Sequence, residues 1–76
     1  MRVHLGGHLA YYHPQKQNWF EVQLPASTPV SRVLEQLGIP AAEIVFAVVN
    51  GEVANIENTI VQNEDVIQFF PPMDGG

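Results

Sequence analysis

The residues with the clearest chemical potential stand at the very end of the chain, Gly75-Gly76. Glycine lacks a Cβ, so a diglycine end can pass through a narrow channel, adopt backbone conformations closed to other residues and present a free carboxylate to another protein. Two glycines alone are an ordinary chain end, so the weight of the signal depends on the residues before them. Other chemistries find less support. His4 and His8 would share a face on a helix, but on a strand four residues span roughly 13 Å, too far for joint ligation of a metal. His13 lies in a polar loop with no second ligand at a useful spacing, so no metal site is expected. The chain has no cysteine, which removes disulfides, thiolate chemistry and Cys-based zinc together. It contains no nucleophile–base–orienter arrangement and no GxxxxGK[ST] phosphate loop. Glu52, Glu57, Glu64 and Asp65 sit in turn-like segments where solvated charge is the ordinary outcome. No catalytic residue of its own is assigned.

Composition narrows the class further. A chain of 76 residues has room for one domain with a modest core, and with 46% apolar and 14% charged residues it is far from the composition of disordered segments. The longest apolar run, Ile44–Val49, is far short of the ~20 residues that span a bilayer, and no basic region followed by an apolar stretch opens the chain. The reading is a soluble cytoplasmic protein. Three Lys/Arg against eight Asp/Glu leave a net charge of −5, which repels phosphate backbones and anionic lipid, so neither nucleic acid nor membrane is expected as a partner. The same field would favour a basic cleft on a protein partner.

The elements that must position the terminus follow from periodicity. Val3, Leu5, Gly7 and Leu9 alternate with His4, Gly6 and His8, predicting a first strand, and Phe20, Val22 and Leu24 alternate with Trp19, Glu21 and Gln23, predicting a second. Pro14 suits the loop between them. Thr28 as N-cap, Pro29 as first helical residue and Gly38 as left-handed stop bracket a helix whose Val30, Val33, Leu34 and Leu37 form one apolar stripe. Val45–Val49 reads as a strand returning through the Asn50-Gly51 turn to Val53. From 54 to 64 the pattern is weak, with Ile56, Ile60 and Val61 as plugs beneath a polar loop. Asp65–Phe70 alternates again until Pro71-Pro72, which cannot continue a ladder. Val3, Leu5, Phe20, Val22, Val33, Leu34, Leu37, Ile67 and Phe69 are the predicted core. If Ile67 and Phe69 point inward, Val66, Gln68 and Phe70 point outward, which makes Phe70 an exposed aromatic beside the terminus and a candidate docking anchor. This order of elements excludes a doubly wound sheet and fits an α+β, β-grasp plan: a mixed sheet, one main helix across it, and the first and last strands parallel at the centre. The predicted division is a β-grasp domain over 1–72 and a flexible Gly-Gly tail over 73–76.

Val49-Asn50-Gly51-Glu52, then Asp65-Val66-Ile67, then Phe69-Phe70-Pro71-Pro72-Met73-Asp74-Gly75-Gly76 together resemble the MoaD/ThiS family of ubiquitin-like sulfur carriers, and the Phe-Pro-Pro-x-x-Gly-Gly end resembles its molybdopterin synthase small-subunit branch. The likeness spans nearly the whole chain. Two departures stand out. Asn63-Glu64-Asp65 replaces the usual Asp-Gly-Asp turn, with Asn63 expected to supply a left-handed residue. Gly6-Gly7 replaces bulky apolar residues in the first strand, where glycines signal a bulge or a close backbone approach.

The resemblance implies that the Gly76 carboxylate is adenylated by an E1-like partner and converted to a thiocarboxylate that donates sulfur, with Gly75, Asp74 and Met73 as the tail. A carboxylate is a poor electrophile until one of its oxygens becomes a good leaving group, which an acyl-adenylate provides. No cofactor is bound by the carrier; ATP is consumed by the activating partner. Phe70, Val53, Pro71 and Pro72 are the implied partner-binding residues, and the implied partners are the adenylating enzyme and a larger catalytic subunit of the molybdopterin synthase type. Three alternatives remain open: a modifier conjugated to lysines through Gly76, a sulfur carrier for thiamine or another pathway, and a non-catalytic interaction module.

Overall fold

The computed structural model describes residues 1–72. The expected tail over 73–76 lies outside the described residues. Within them, β1 (Arg2–Leu5) buries Val3 and Leu5 completely and turns Arg2 and His4 to the other face. The strand stops at Leu5 rather than running on through Leu9. Gly7 takes φ +52°, and Gly7–Tyr12 wind into a 3₁₀-helix in which Leu9 donates its N–H to the Gly6 carbonyl at 3.0 Å and buries its side chain. The alternation misleads here because Gly7 has no side chain to bury, and Leu9 reaches the core equally well from the helix.

The β2 strand (Trp19–Glu21) pairs antiparallel with β1, Trp19 opposite His4 and Glu21 opposite Arg2. It is shorter than the predicted run to Leu24. Val22 and Met1 still exchange backbone bonds, each 2.8 Å, after which the backbone of Leu24 is held by a side chain instead of a strand. That side chain is Asn63, whose Oδ1 accepts from the Leu24 N–H at 2.8 Å and whose Nδ2 donates to the Leu24 carbonyl at 2.7 Å. Asn63 is therefore not the left-handed residue expected of it. Among non-glycine residues described, only Lys16 and Asn50 have positive φ.

The helix, α1 (Val30–Leu37), follows its stripe: Val30, Val33 and Leu34 are buried and Leu37 packs against the core. Gly38 ends it at φ 75°, with its N–H directed at Glu35 and the N–H of buried Ile39 directed at Leu34, so the last carbonyls are satisfied in a Schellman arrangement. The start differs from expectation. Pro29 is the N-cap, and Thr28 and Pro29 form β3 (Thr28–Pro29), paired with β6 (Ile60–Val61). The Thr28 hydroxyl donates to the Ala26 carbonyl, and the first helical N–H, of Val30, is satisfied by the Thr59 carbonyl at 2.9 Å, so no capping hydroxyl is needed.

Asn50 and Gly51, at φ 51° and 87°, make the tight turn between β4 (Phe46–Val49) and β5 (Glu52–Ala54). Val45 falls outside β4 and is exposed. Of the three proposed plugs, Val61 is fully buried and Ile56 packs on the core, but Ile60 is 61% exposed, because the β3–β6 pairing turns alternate residues in opposite directions. The last strand, β7 (Val66–Phe70), occupies the centre of a sheet ordered β2-β1-β7-β4-β5, parallel to β1 and antiparallel to β4. This is the β-grasp arrangement. Ala47, Ile67 and Phe69 join Val3 and Leu5 on the buried face under α1, whereas Phe20, Val22 and Leu37 are half-buried at its margin.

Candidate functional site

The register of the sheet gathers one row of side chains on the face away from α1. His4 lies opposite Trp19 and Gln68, Val48 opposite Gln68 and Val53, and Phe46 opposite Phe70. Phe70 thus points outward, as the alternation of β7 requires, and stacks on Phe46 with ring centroids 4.9 Å apart and planes 22° from parallel. His4 joins the group 6.0 Å from Phe70 and 4.7 Å from Trp19, and the Arg2 guanidinium lies 4.7 Å over the Trp19 ring. The result is an aromatic strip, Trp19–His4–Phe70–Phe46, continued by Val53, which is 75% exposed. The His4 ring is half-buried between Trp19 and Phe70, and its Nδ1 has no hydrogen-bond partner among the described residues. His8 lies on the 3₁₀-helix rather than a strand, with Nε2 3.4 Å from Glu43.

The strip ends where the chain leaves the sheet. Gly6 donates its N–H to the Phe69 carbonyl and Val45 donates to the Phe70 carbonyl, both at 2.9 Å, so β7 is gripped from both sides up to Phe70. Pro71 then lies beside Gly7 and is half-buried, and Pro72 is exposed. A Cβ on Gly6 would stand 3.0 Å from Phe70 Cδ1 and 3.1 Å from the Phe69 oxygen, and one on Gly7 would stand 2.8 Å from Pro71 Cγ. The glycine pair is a close approach, one of the two possibilities its position raised. Met73, Asp74, Gly75 and Gly76 lie outside the described residues.

Beyond the glycine pair, Tyr12 donates its hydroxyl to Glu43 Oε1 at 3.2 Å, tying the first 3₁₀-helix to a second over Ala41–Glu43. Partial loss of water, then the Glu43 charge and that hydrogen bond, push the phenol above its ordinary range. No group of three or more acidic or histidine side chains that could hold a metal occurs among the described residues, and none of their helices is long and apolar enough to cross a membrane.

The structure therefore brings Phe70, Val53, Pro71 and Pro72 to one face and one end of the sheet, and adds Trp19, His4 and Phe46. The signal for Trp19 was present in the alternation of the second strand. Phe46 was hidden inside the apolar run Ile44–Val49, where both faces read alike; counting back from the Asn50-Gly51 turn separates Ala47 and Val49 from Phe46 and Val48.

Comparison with known proteins bears on this arrangement. The crystal structure of the thiamine biosynthesis protein ThiS from Geobacter metallireducens superimposes with a TM-score of 0.61 at 26% identity, covering 100% of both chains. A solution structure of a thiamine biosynthesis protein from the same organism gives 0.57 at 26% identity, covering 100% of this chain and 88% of that one. Among curated proteins nothing matches. Residues 10–76 match the sequence profile of the ThiS family, a span that takes in β2 to β7, the aromatic strip from Trp19 onward and the terminal glycines. With the β-grasp sheet, that match establishes the chain as a member of the ThiS family of sulfur carriers.

Proposed function

We propose that this protein carries sulfur as a thiocarboxylate on Gly76. The observation that supports it best is the end of the central strand: Phe70, stacked in an outward aromatic strip, is followed at once by Pro71-Pro72 and by four residues ending in Gly75-Gly76. A partner of the E1-like adenylating type docks on that strip, with Phe70 and Val53 as anchors, and receives the tail. A Gly76 carboxylate oxygen attacks the α-phosphorus of the partner's ATP, the bond to the β-phosphate oxygen breaks and pyrophosphate leaves. A sulfur nucleophile at the sulfide level then displaces AMP at the acyl carbon, leaving sulfur where oxygen stood. The carrier's part is to dock and to present the carboxylate; it contributes no acid or base.

Two acceptors are favoured by different observations. The Phe69-Phe70-Pro71-Pro72 run before the glycines supports delivery to molybdopterin through a larger catalytic subunit. The match to the ThiS family and the likeness to thiamine biosynthesis proteins support delivery to thiazole formation. Incubation with each adenylating enzyme, ATP and a sulfur source, followed by intact mass and fragmentation, tests the carrier reading. The expected result is a mass gain of one sulfur for one oxygen on Gly76, abolished by deleting Gly76 or adding a residue after it. Transfer from the loaded carrier to either catalytic subunit then distinguishes the acceptors. Attachment to protein lysines without any thiocarboxylate supports the modifier instead, and sulfur transfer surviving an untrimmed extension leaves only an interaction module.

A further inference from the structure

We infer that Gly7 is a positioning residue for the adenylation of Gly76: it provides a flat backbone seat for the Pro71 ring, and this seat sets the direction in which the tail leaves the sheet. The inference rests on the carrier reading above and adds a residue to it from the opposite end of the sequence.

Gly7 belongs to the turn that stops β1 and begins the 3₁₀-helix, and it holds φ +52°, where a side chain is strained. A Cβ placed there would lie 2.8 Å from Pro71 Cγ and 3.5 Å from Pro71 Cδ, inside contact distance of a ring that cannot rotate away. Gly6 does the same for the preceding residue, since its missing side chain lets the edge of Phe70 lie on the β1 backbone. The two glycines thus accept two consecutive side chains of the departing chain. Only one residue, Phe70, separates Pro71 from the last paired residue of β1's ladder, Phe69, which faces Leu5.

Direction matters because of the stiff step beyond the seat. Pro71 and Pro72 have fixed φ and form a stiff extended step. A tilt at Pro71 therefore carries Pro72 with it and changes where the chain beyond Pro72 starts. A misplacement of about 1 Å in a reacting group can cost on the order of a hundredfold in rate. Docking through the aromatic strip fixes the sheet on the partner, and the seat on Gly7 then fixes the path of Pro71 and Pro72 from it.

The test is a double-mutant cycle between Gly7 and Pro71, read as pyrophosphate release by the adenylating enzyme with the carrier as varied substrate. Gly7→Asn is the principal variant, because asparagine tolerates positive φ yet still carries a Cβ; Gly7→Ala accompanies it, and thermal melts confirm that each is folded under assay conditions. Gly7→Asn is expected to lower kcat at least tenfold with KM within threefold of the parent, since the anchors Phe70 and Val53 are untouched. In a Pro71→Ala background, which lacks the clashing Cγ and Cδ, the same substitution is expected to lower kcat less than threefold. Unchanged kcat in Gly7→Asn overturns the inference, and so does a loss that is equal in both backgrounds or that appears wholly in KM. If the parent chain is not adenylated at all, the carrier reading falls and this inference falls with it; a parent that is adenylated beside an equally active Gly7→Asn removes the inference alone.

Discussion

Phe70 packs against Phe46 and is proposed as a docking anchor, and the two roles separate by measurement. Its ring is half-buried against Phe46 and lies over Gly6, yet it points away from the core that Ile67 and Phe69 build from the same strand. Truncating an aromatic at the centre of an interface typically costs more than truncating it at a rim. Phe70→Ala is expected to weaken association with the adenylating partner by at least ~1 kcal/mol, about fivefold in Kd, while the variant remains folded, with titration calorimetry as the check. Unchanged affinity would assign the ring to packing alone. Asn63 shows the converse case, a polar residue whose work is internal. It satisfies both backbone groups of Leu24, which is itself buried and belongs to no strand. Removing a side chain that satisfies buried donors and acceptors leaves their desolvation uncompensated, so Asn63→Ala is expected to lower unfolding free energy by about 1–3 kcal/mol in urea titration, without changing partner affinity.

At the scale of elements, α1 offers two substitutions four residues apart with different physics. Leu34 is buried at 2% exposure, and Leu34→Ala is expected to cost roughly 2–5 kcal/mol through lost burial and a cavity. At Gly38 an added Cβ meets nothing within 4 Å, so Gly38→Ala carries only the strain of the left-handed conformation at φ 75°, about 1–2 kcal/mol. Denaturant unfolding should rank them in that order. These values are accessible from sequence because the helix is specified locally, by a stripe at 3.6-residue spacing and a glycine stop. The Asn50-Gly51 turn is legible for the same reason. The end of β1 is not: Gly7 fits an alternating pattern only by lacking a side chain, and its turn lies against Pro71, 64 positions further along the sequence. The β3–β6 pairing involves two residues on each side, too few for any period to register. The aromatic strip was half legible. Phe70 follows from alternation in one strand, but its company with His4, Trp19 and Phe46 depends on the registers of three strand pairs, which are set by tertiary packing.

The whole molecule is closed by its two ends: β1 and β7 pair in parallel at the centre of the sheet, so the strand that carries Phe69 into the core is also the one that launches the terminus. The chain therefore leaves the sheet beside a fixed face, and the remaining problem for the proposed carrier is to bring that face to a partner. Charge acts on this step. Of the three basic side chains, Arg2 lies over Trp19, Lys16 lies 4.5 Å over Tyr11, and Arg32 is 3.9 Å from Glu35, while the net charge stays at −5. The radius of gyration is 11.5 Å, close to the Debye length of about 10 Å at 0.1 M salt, so charges across the molecule act together on an approaching partner only below that ionic strength. Steering of this kind changes the rate of encounter far more than the lifetime of the complex, because the apolar strip proposed to hold the complex is little affected by screening. Raising salt from about 0.01 M to about 0.5 M is accordingly expected to slow association with the adenylating enzyme by about tenfold or more while dissociation changes less than about threefold, measured by stopped-flow mixing. A salt-independent association rate would mean that the acidic surface serves solubility alone. A dissociation rate that rises as steeply as association falls would instead place ion pairs, not the aromatic strip, at the centre of the interface.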